Sequence, residues 1–173
     1  MLITEREHLS EQLRELADRY DRHRTALIPM LQFVQRKQGY VNSYTMQVIA
    51  DLLGIHPVEV HSVVSFYSFL SDKPTGKFVI RLCRTISCDL AGKDAIARQL
   101  QTELGIGFGQ TTEDRMFTLE WANCIGMCDR GPALLVNDRV YTQVTPEKVH
   151  EIIAECRNLF GPHALEREED HLV

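Results

Sequence analysis

No hydrophobic run in this 173-residue chain is long enough to cross a membrane. The most apolar stretch, Val63 to Leu70, falls short of the about 20 residues a spanning helix needs and is broken by Ser65 and Ser68. The opening segment MLITEREHLSEQLREL is charged at every turn and has no apolar core of signal-peptide length. Basic residues are in deficit, 19 Lys and Arg against 24 Asp and Glu for a formal charge of −5, and no basic run tracks a phosphate backbone. Nucleic acid is therefore excluded as a partner, and the expected location is the cytoplasm, without membrane insertion. No phosphate loop and no serine, histidine and aspartate grouping is found. In Gly105-Ile106-Gly107-Phe108-Gly109 the run follows a helical segment, and Gln110 stands where a dinucleotide loop requires glycine. No nucleotide-binding site is expected in this chain.

The chain is 44% apolar and 25% charged, the balance of a globular protein. A chain of this size buries roughly two thirds of its surface on folding, so crosslinks are not needed for stability. The five cysteines, in a reducing compartment, point to metal or redox chemistry instead.

Residues 1–75 read as a helical bundle. Leu9, Leu13 and Leu16 recur at helical spacing, as do Leu27, Ile28, Leu31 and Val34 before a stop at Gly39. Ser43 suits the cap of a third helix carrying Val48, Ile49, Leu52 and Leu53 up to Gly54, and Pro57 opens a fourth with Val60, Val63, Val64 and Tyr67 on its buried side. The turn-rich Ser71 to Gly76 marks a boundary, after which the period changes. Residues 76–160 read as a small α/β domain: a strand at Phe78 to Leu82, a helix at Asp94 to Leu104 and a strand at Phe117 to Trp121. A hairpin about Asn137-Asp138 follows, then a helix from Thr145-Pro146 to Gly161-Pro162. The fold class is α+β, and residues 161–173 form a charged tail.

Four of the cysteines fall in two pairs. Cys83 and Cys88 enclose RTIS, Cys124 and Cys128 enclose IGM, and 35 residues separate the pairs. Cys83 stands just past the end of the first strand and Cys88 ahead of a helix, while the second pair brackets a loop after the second strand. Adjacent strand ends bring both loops to one sheet edge. A [2Fe-2S] cluster takes four thiolates in such a pocket, two at each iron, and Gly126 permits close backbone approach. Zinc also takes four thiolates at these spacings, and unligated thiols are a third reading. No two cysteines enclose two residues, which disfavours a thioredoxin-type exchange enzyme.

With VEVHSVVSFYSFL, RLCRTISC, WANCIGMCDRGPALLVND and TPEKVHEII, the chain from about Leu27 to Cys156 resembles the thioredoxin-like [2Fe-2S] ferredoxin family. That family includes the 24 kDa subunit of respiratory complex I, the NADH-quinone oxidoreductase. The small subunits of NAD(P)-linked and bifurcating hydrogenases and of formate dehydrogenases also belong to it. The resemblance implies an N-terminal helical bundle before a thioredoxin-like domain, and one [2Fe-2S] cluster per chain on Cys83, Cys88, Cys124 and Cys128. It also implies an electron-transfer subunit, not catalytic alone, in an NAD(P)-dependent oxidoreductase complex. Its partner is then an iron–sulfur subunit carrying FMN and NAD(P), with further iron–sulfur, hydrogenase or dehydrogenase subunits. A freestanding ferredoxin and a zinc-stabilised structural subunit are the alternatives. Asp129-Arg130-Gly131-Pro132 departs from the family's Ala-Pro after the last ligand, and the Arg130 charge is expected to raise the cluster potential.

Other residues have plainer readings. Cys156 shares a face with Val149 and Ile152 as a core thiol, Trp121 reads as a core aromatic at a strand end, and His56, His61, His150 and His163 as solvated or capping groups. The aromatics Phe66, Tyr67 and Phe69 fit either burial or a docking surface.

Overall fold

The computed structural model describes residues 3–159. The described residues divide between Thr75 and Gly76 into two compact units.

The first unit holds four helices, α1 (Ile3–Arg19), α2 (Leu27–Gln38), α3 (Ser43–Leu53) and α4 (Pro57–Phe66). Each contributes an apolar stripe to one core, with Leu9 and Leu13 from α1, Leu31 and Val34 from α2, Ile49 and Leu53 from α3, and Val60 and Val64 from α4. Gly39 and Gly54 close α2 and α3 at φ +82° and +62°, where a side chain would be strained. Asn42, not Ser43, caps α3: its side chain accepts the N–H of Thr45, one residue earlier than the sequence suggests. His56 caps α4 in a reciprocal capping box with Glu59, ahead of Pro57. Tyr67 is not on the buried side. The helix ends at Phe66, its period stops there, and Phe66, Tyr67 and Phe69 are 79%, 47% and 52% exposed. Among the described residues no single helix is long and apolar enough to cross a membrane.

The second unit runs β1 (Phe78–Cys83), α5 (Ile86–Leu90), α6 (Lys93–Leu104), β2 (Gln110–Thr111), β3 (Phe117–Ala122), β4 (Leu134–Val136), β5 (Arg139–Tyr141) and α7 (Pro146–Asn158). The sheet order is β2-β3-β1-β4-β5, with β1 and β3 parallel and the other neighbours antiparallel. A parallel pair needs a crossover, which α5 and α6 supply. Ile80, Leu82, Phe117, Leu119, Leu134 and Val136 pack with Ile96, Leu100, Val149 and Ile153 of α6 and α7. Each such side chain, removed from water, contributes about 1.5–3 kcal/mol. Gly76 enters β1 so closely that a Cβ would lie 2.7 Å from the Phe117 carbonyl carbon, leaving no room for any side chain. Two short elements, α5 and β2, escape a reading from sequence because five and two residues carry no measurable period. The helix α7 ends at Asn158, and the expected stop at Gly161-Pro162 and the tail lie outside the described residues.

Candidate metal centre

The parallel pairing of β1 and β3 brings the cysteines together. Cys83 closes β1 opposite Ala122, the last residue of β3, so both strands leave the sheet at the same edge and Cys124 follows two residues later. The Arg84 N–H donates to the Ala122 carbonyl at 2.9 Å and its Nε to Asn123 Oδ1 at 3.0 Å, tying the two exits. Cys88 stands ahead of α6, the helix expected from the sequence, and lies inside the additional short α5, because the turn after Thr85 is already helical. Cys128 opens a 3-10 turn to Arg130.

The four thiols are unequal. Cys83 and Cys88 are 1% exposed beneath Ala133, with Ile125 and Met127 packed beside them, while Cys124 and Cys128 are exposed at the lip. The Cys124 and Cys128 sulfurs are 3.6 Å apart, and the Gly126 N–H, at φ +81°, donates to the Cys124 sulfur at 3.4 Å. The Cys83 thiol donates to the Asn123 carbonyl at 3.3 Å and lies 3.2 Å from the Thr85 hydroxyl. Thr85 sits at the α5 N-cap, yet its side chain makes no capping hydrogen bond. Burial pushes Cys83 up, but hydrogen bonds from Thr85, Cys88 and the Ile125 backbone outweigh it, so the thiol is held below its ordinary range. Burial, then the Cys83 sulfur, pushes Cys88 up, and Cys124 does the same to Cys128. Gly131 lets the last loop press on α5: a Cβ there would stand 3.2 Å from that of Ala91 and 3.5 Å from the Cys88 sulfur.

Among the described residues no group of three or more His, Cys, Asp or Glu side chains is placed to hold a metal ion. A structural zinc needs three or four donors on one ion. A two-iron cluster needs two thiolates at each iron, with backbone N–H groups directed at sulfur. Two close pairs, two buried and two at the lip, with N–H groups of Ile125, Gly126 and Ala133 at sulfurs, fit that donor set.

Neighbouring residues differ from the sequence reading in places. Trp121 is not in the core: it is 38% exposed and stacks on Phe108 at 3.6 Å between ring centroids. Lys93 Nζ lies 5.5 Å from the Trp121 ring centroid and 3.0 Å from Asp89 Oδ1, so one ammonium joins α5 to the end of β3. Asp89 stands four residues before Lys93, an ordinary ion-pair spacing, but Trp121 lies 28 residues away and nothing in the local sequence signals that contact. Arg130 is 66% exposed at the side chain and pairs with Asp129 at 3.5 Å, which screens the charge expected to act on the centre. The Gly105–Gly109 run makes no phosphate cradle, for the Gly107 and Gly109 N–H groups are spent on Gln110 Oε1 and the Leu119 carbonyl. Cys156 lies in the core beside Ile152 and Ile153, where burial pushes its thiol up to about 11. Of the histidines, His23 caps a 3-10 turn at Arg24–Ala26, His56 caps α4, His150 lies 3.5 Å from Glu103, and His163 is outside the described residues.

A family model described as thioredoxin-like [2Fe-2S] ferredoxin matches residues 13–157. An NADH-quinone oxidoreductase subunit of Pseudomonas aeruginosa is 37% identical over 134 residues, covering 78% of this chain and 81% of the relative. NADH-quinone oxidoreductase subunit 2 of Thermus thermophilus is 38% identical over 135 residues, covering 78% and 75%. The fold is that of a chain in the crystal structure of an NAD+-reducing [NiFe]-hydrogenase in the H2-reduced state. The TM-score is 0.66 at 22% identity over 74% of this chain, which spans only 22% of the hydrogenase chain.

Proposed function

The chain belongs to the thioredoxin-like [2Fe-2S] ferredoxin family, and from that membership we propose that it is the electron-transfer subunit of a multi-subunit NAD(P)(H)-dependent oxidoreductase. One observation carries the reading: parallel β1 and β3 deliver two cysteine pairs to one sheet edge. We assign Cys83, Cys88, Cys124 and Cys128 as the four ligands. A bound [2Fe-2S] cluster supplies one-electron chemistry, and no general acid or base is required. The protein's own residues do the rest. Cys83 and Cys88 anchor the inner side under Ala133, the Gly126 N–H offsets negative charge at Cys124, and Ile125 and Met127 exclude water. The lip at Cys124 and Cys128 faces outward, toward a donor or acceptor.

The chain is not catalytic alone in this reading. Its partner carries FMN and NAD(P), and the assembly works in the cytoplasm or on its side of a membrane. Flavins exchange electrons singly or in pairs, so a one-electron centre beside one complements it. Ile86 and Leu90 are 69% and 84% exposed on α5, next to Cys88, and Phe66 is 79% exposed on α4. Such apolar surface favours an attached subunit over a freestanding ferredoxin, which would leave it in water.

Anaerobic purification from the source, with identification of every chain that travels along, tests the assignment. Co-purification with a flavoprotein and a two-iron EPR signal is expected, and Cys88→Ser abolishes that signal while Cys156→Ser retains it. Recovery of a colourless chain with stoichiometric zinc sinks the cluster. Recovery of a brown chain alone turns the reading to a freestanding ferredoxin.

A further inference from the structure

The sheet face that carries Cys83 also carries an ion pair whose arginine is buried and whose glutamate is partly exposed. Side chains alternate along a strand, so Arg81 and Cys83 project to the same face of β1, with Cα atoms about 7 Å apart. Their register partners on β3, Glu120 and Ala122, share that face. Arg81 is 8% exposed, and its Nε donates to Glu120 Oε2 at 2.9 Å. The other residues of β1 are Phe, Val, Ile, Leu and Cys, so an apolar side chain here would fill the strand without the desolvation penalty of a guanidinium. A partly buried ion pair is weak evidence for stability, which leaves its placement beside Cys83 to be explained.

We propose that the Arg81–Glu120 pair sets the reduction potential of the centre held by the four cysteines, Arg81 favouring the reduced state and Glu120 opposing it. This rests on the ligand assignment above. Uptake of one electron makes the centre one unit more negative, with no bond formed or broken and no proton required. The field of Arg81 acts through the protein interior, where a charge is screened far less than the exposed Arg130 beside Asp129. Arg81 and Glu120 are thus positioning residues of charge, and neither touches the reacting atoms.

The test is an EPR-monitored redox titration of the full chain, its cluster reconstituted anaerobically, with dithionite supplying the electron through mediators. Arg81→Met is expected to shift the one-electron equilibrium toward the oxidised form by up to about tenfold, which is 59 mV for one electron. Glu120→Gln is expected to shift it the other way, and Arg81→Lys, which keeps the charge, to stay within about twofold of the parent. Should Arg81→Met fail to fold, the lysine and glutamine variants decide alone. Shifts of the same sign, or none, in a chain that shows the two-iron signal overturn the inference, since a purely structural pair would lower thermal stability without opposed potentials. Absence of the signal from the parent chain overturns the ligand assignment itself.

Discussion

At the residue scale, one cysteine among five is set apart by its surroundings. Cys156 is 4% exposed in the α6–α7 core, and burial, then the charge of Glu155, raises its thiol from an ordinary 9.0 to about 11. The folded state therefore holds a proton that the unfolded state releases between those values. Stability from this group is complete below pH 9 and is lost as pH rises toward 11, by about 3 kcal/mol at 1.4 kcal/mol for each pH unit. Denaturant melts of the parent and of Cys156→Val, close in volume, should diverge over that window, with the parent losing stability faster. Parallel curves would show that the thiol ionises unhindered. The same scale explains two side chains that sit elsewhere than their spacing predicts. Tyr67 has the right spacing for the bundle core but follows the last turn of α4, and Trp121 continues the inward face of β3 but finds Phe108 to stack on. In both cases the local pattern is sound and a nearby ending or partner overrides it.

At the element scale, the short helix α5 holds Cys88 with little propensity or length of its own, since five residues form barely more than one turn. Its order must come from tertiary contacts, and Lys93 supplies one by reaching Asp89 on α5 and the face of Trp121 at the end of β3. Lys93→Met removes both links while preserving the stem. Because Trp121 is the chain's single tryptophan, its emission reports the change directly. We expect an altered emission and a cluster lost to chelator faster by a factor of about two to five, the equivalent of one cation–π contact. Unchanged emission and lifetime would show that α5 is held by Cys88 and Gly131 alone. The longer helices need no such help to be read, because α2, α3 and α7 carry complete apolar stripes and their own caps.

At the scale of the whole molecule, exposed apolar side chains on both units mark where the subunit reading can fail. Leu90→Asp places a charge on a side chain that is 84% exposed and touches no core, so the isolated chain should fold and bind its cluster as before. Fewer partner chains should then travel with it through purification, with little dependence on salt, because the surface altered is apolar. Undiminished co-purification would place attachment elsewhere. The amino-acid sequence by itself determined the α+β class, a helical bundle before a mixed α/β unit, because hydrophobic period, caps and turn residues act over a few neighbouring positions. It also singled out four cysteines in two pairs, since spacing is a property of the chain. Only the tertiary structure decided which thiols lie inside and which at the lip, that Arg81 meets Glu120 across the β1–β3 register, and that Lys93 reaches Trp121 at the end of β3. Those facts join residues up to 39 positions apart, and no local preference encodes them until a parallel strand pair has formed.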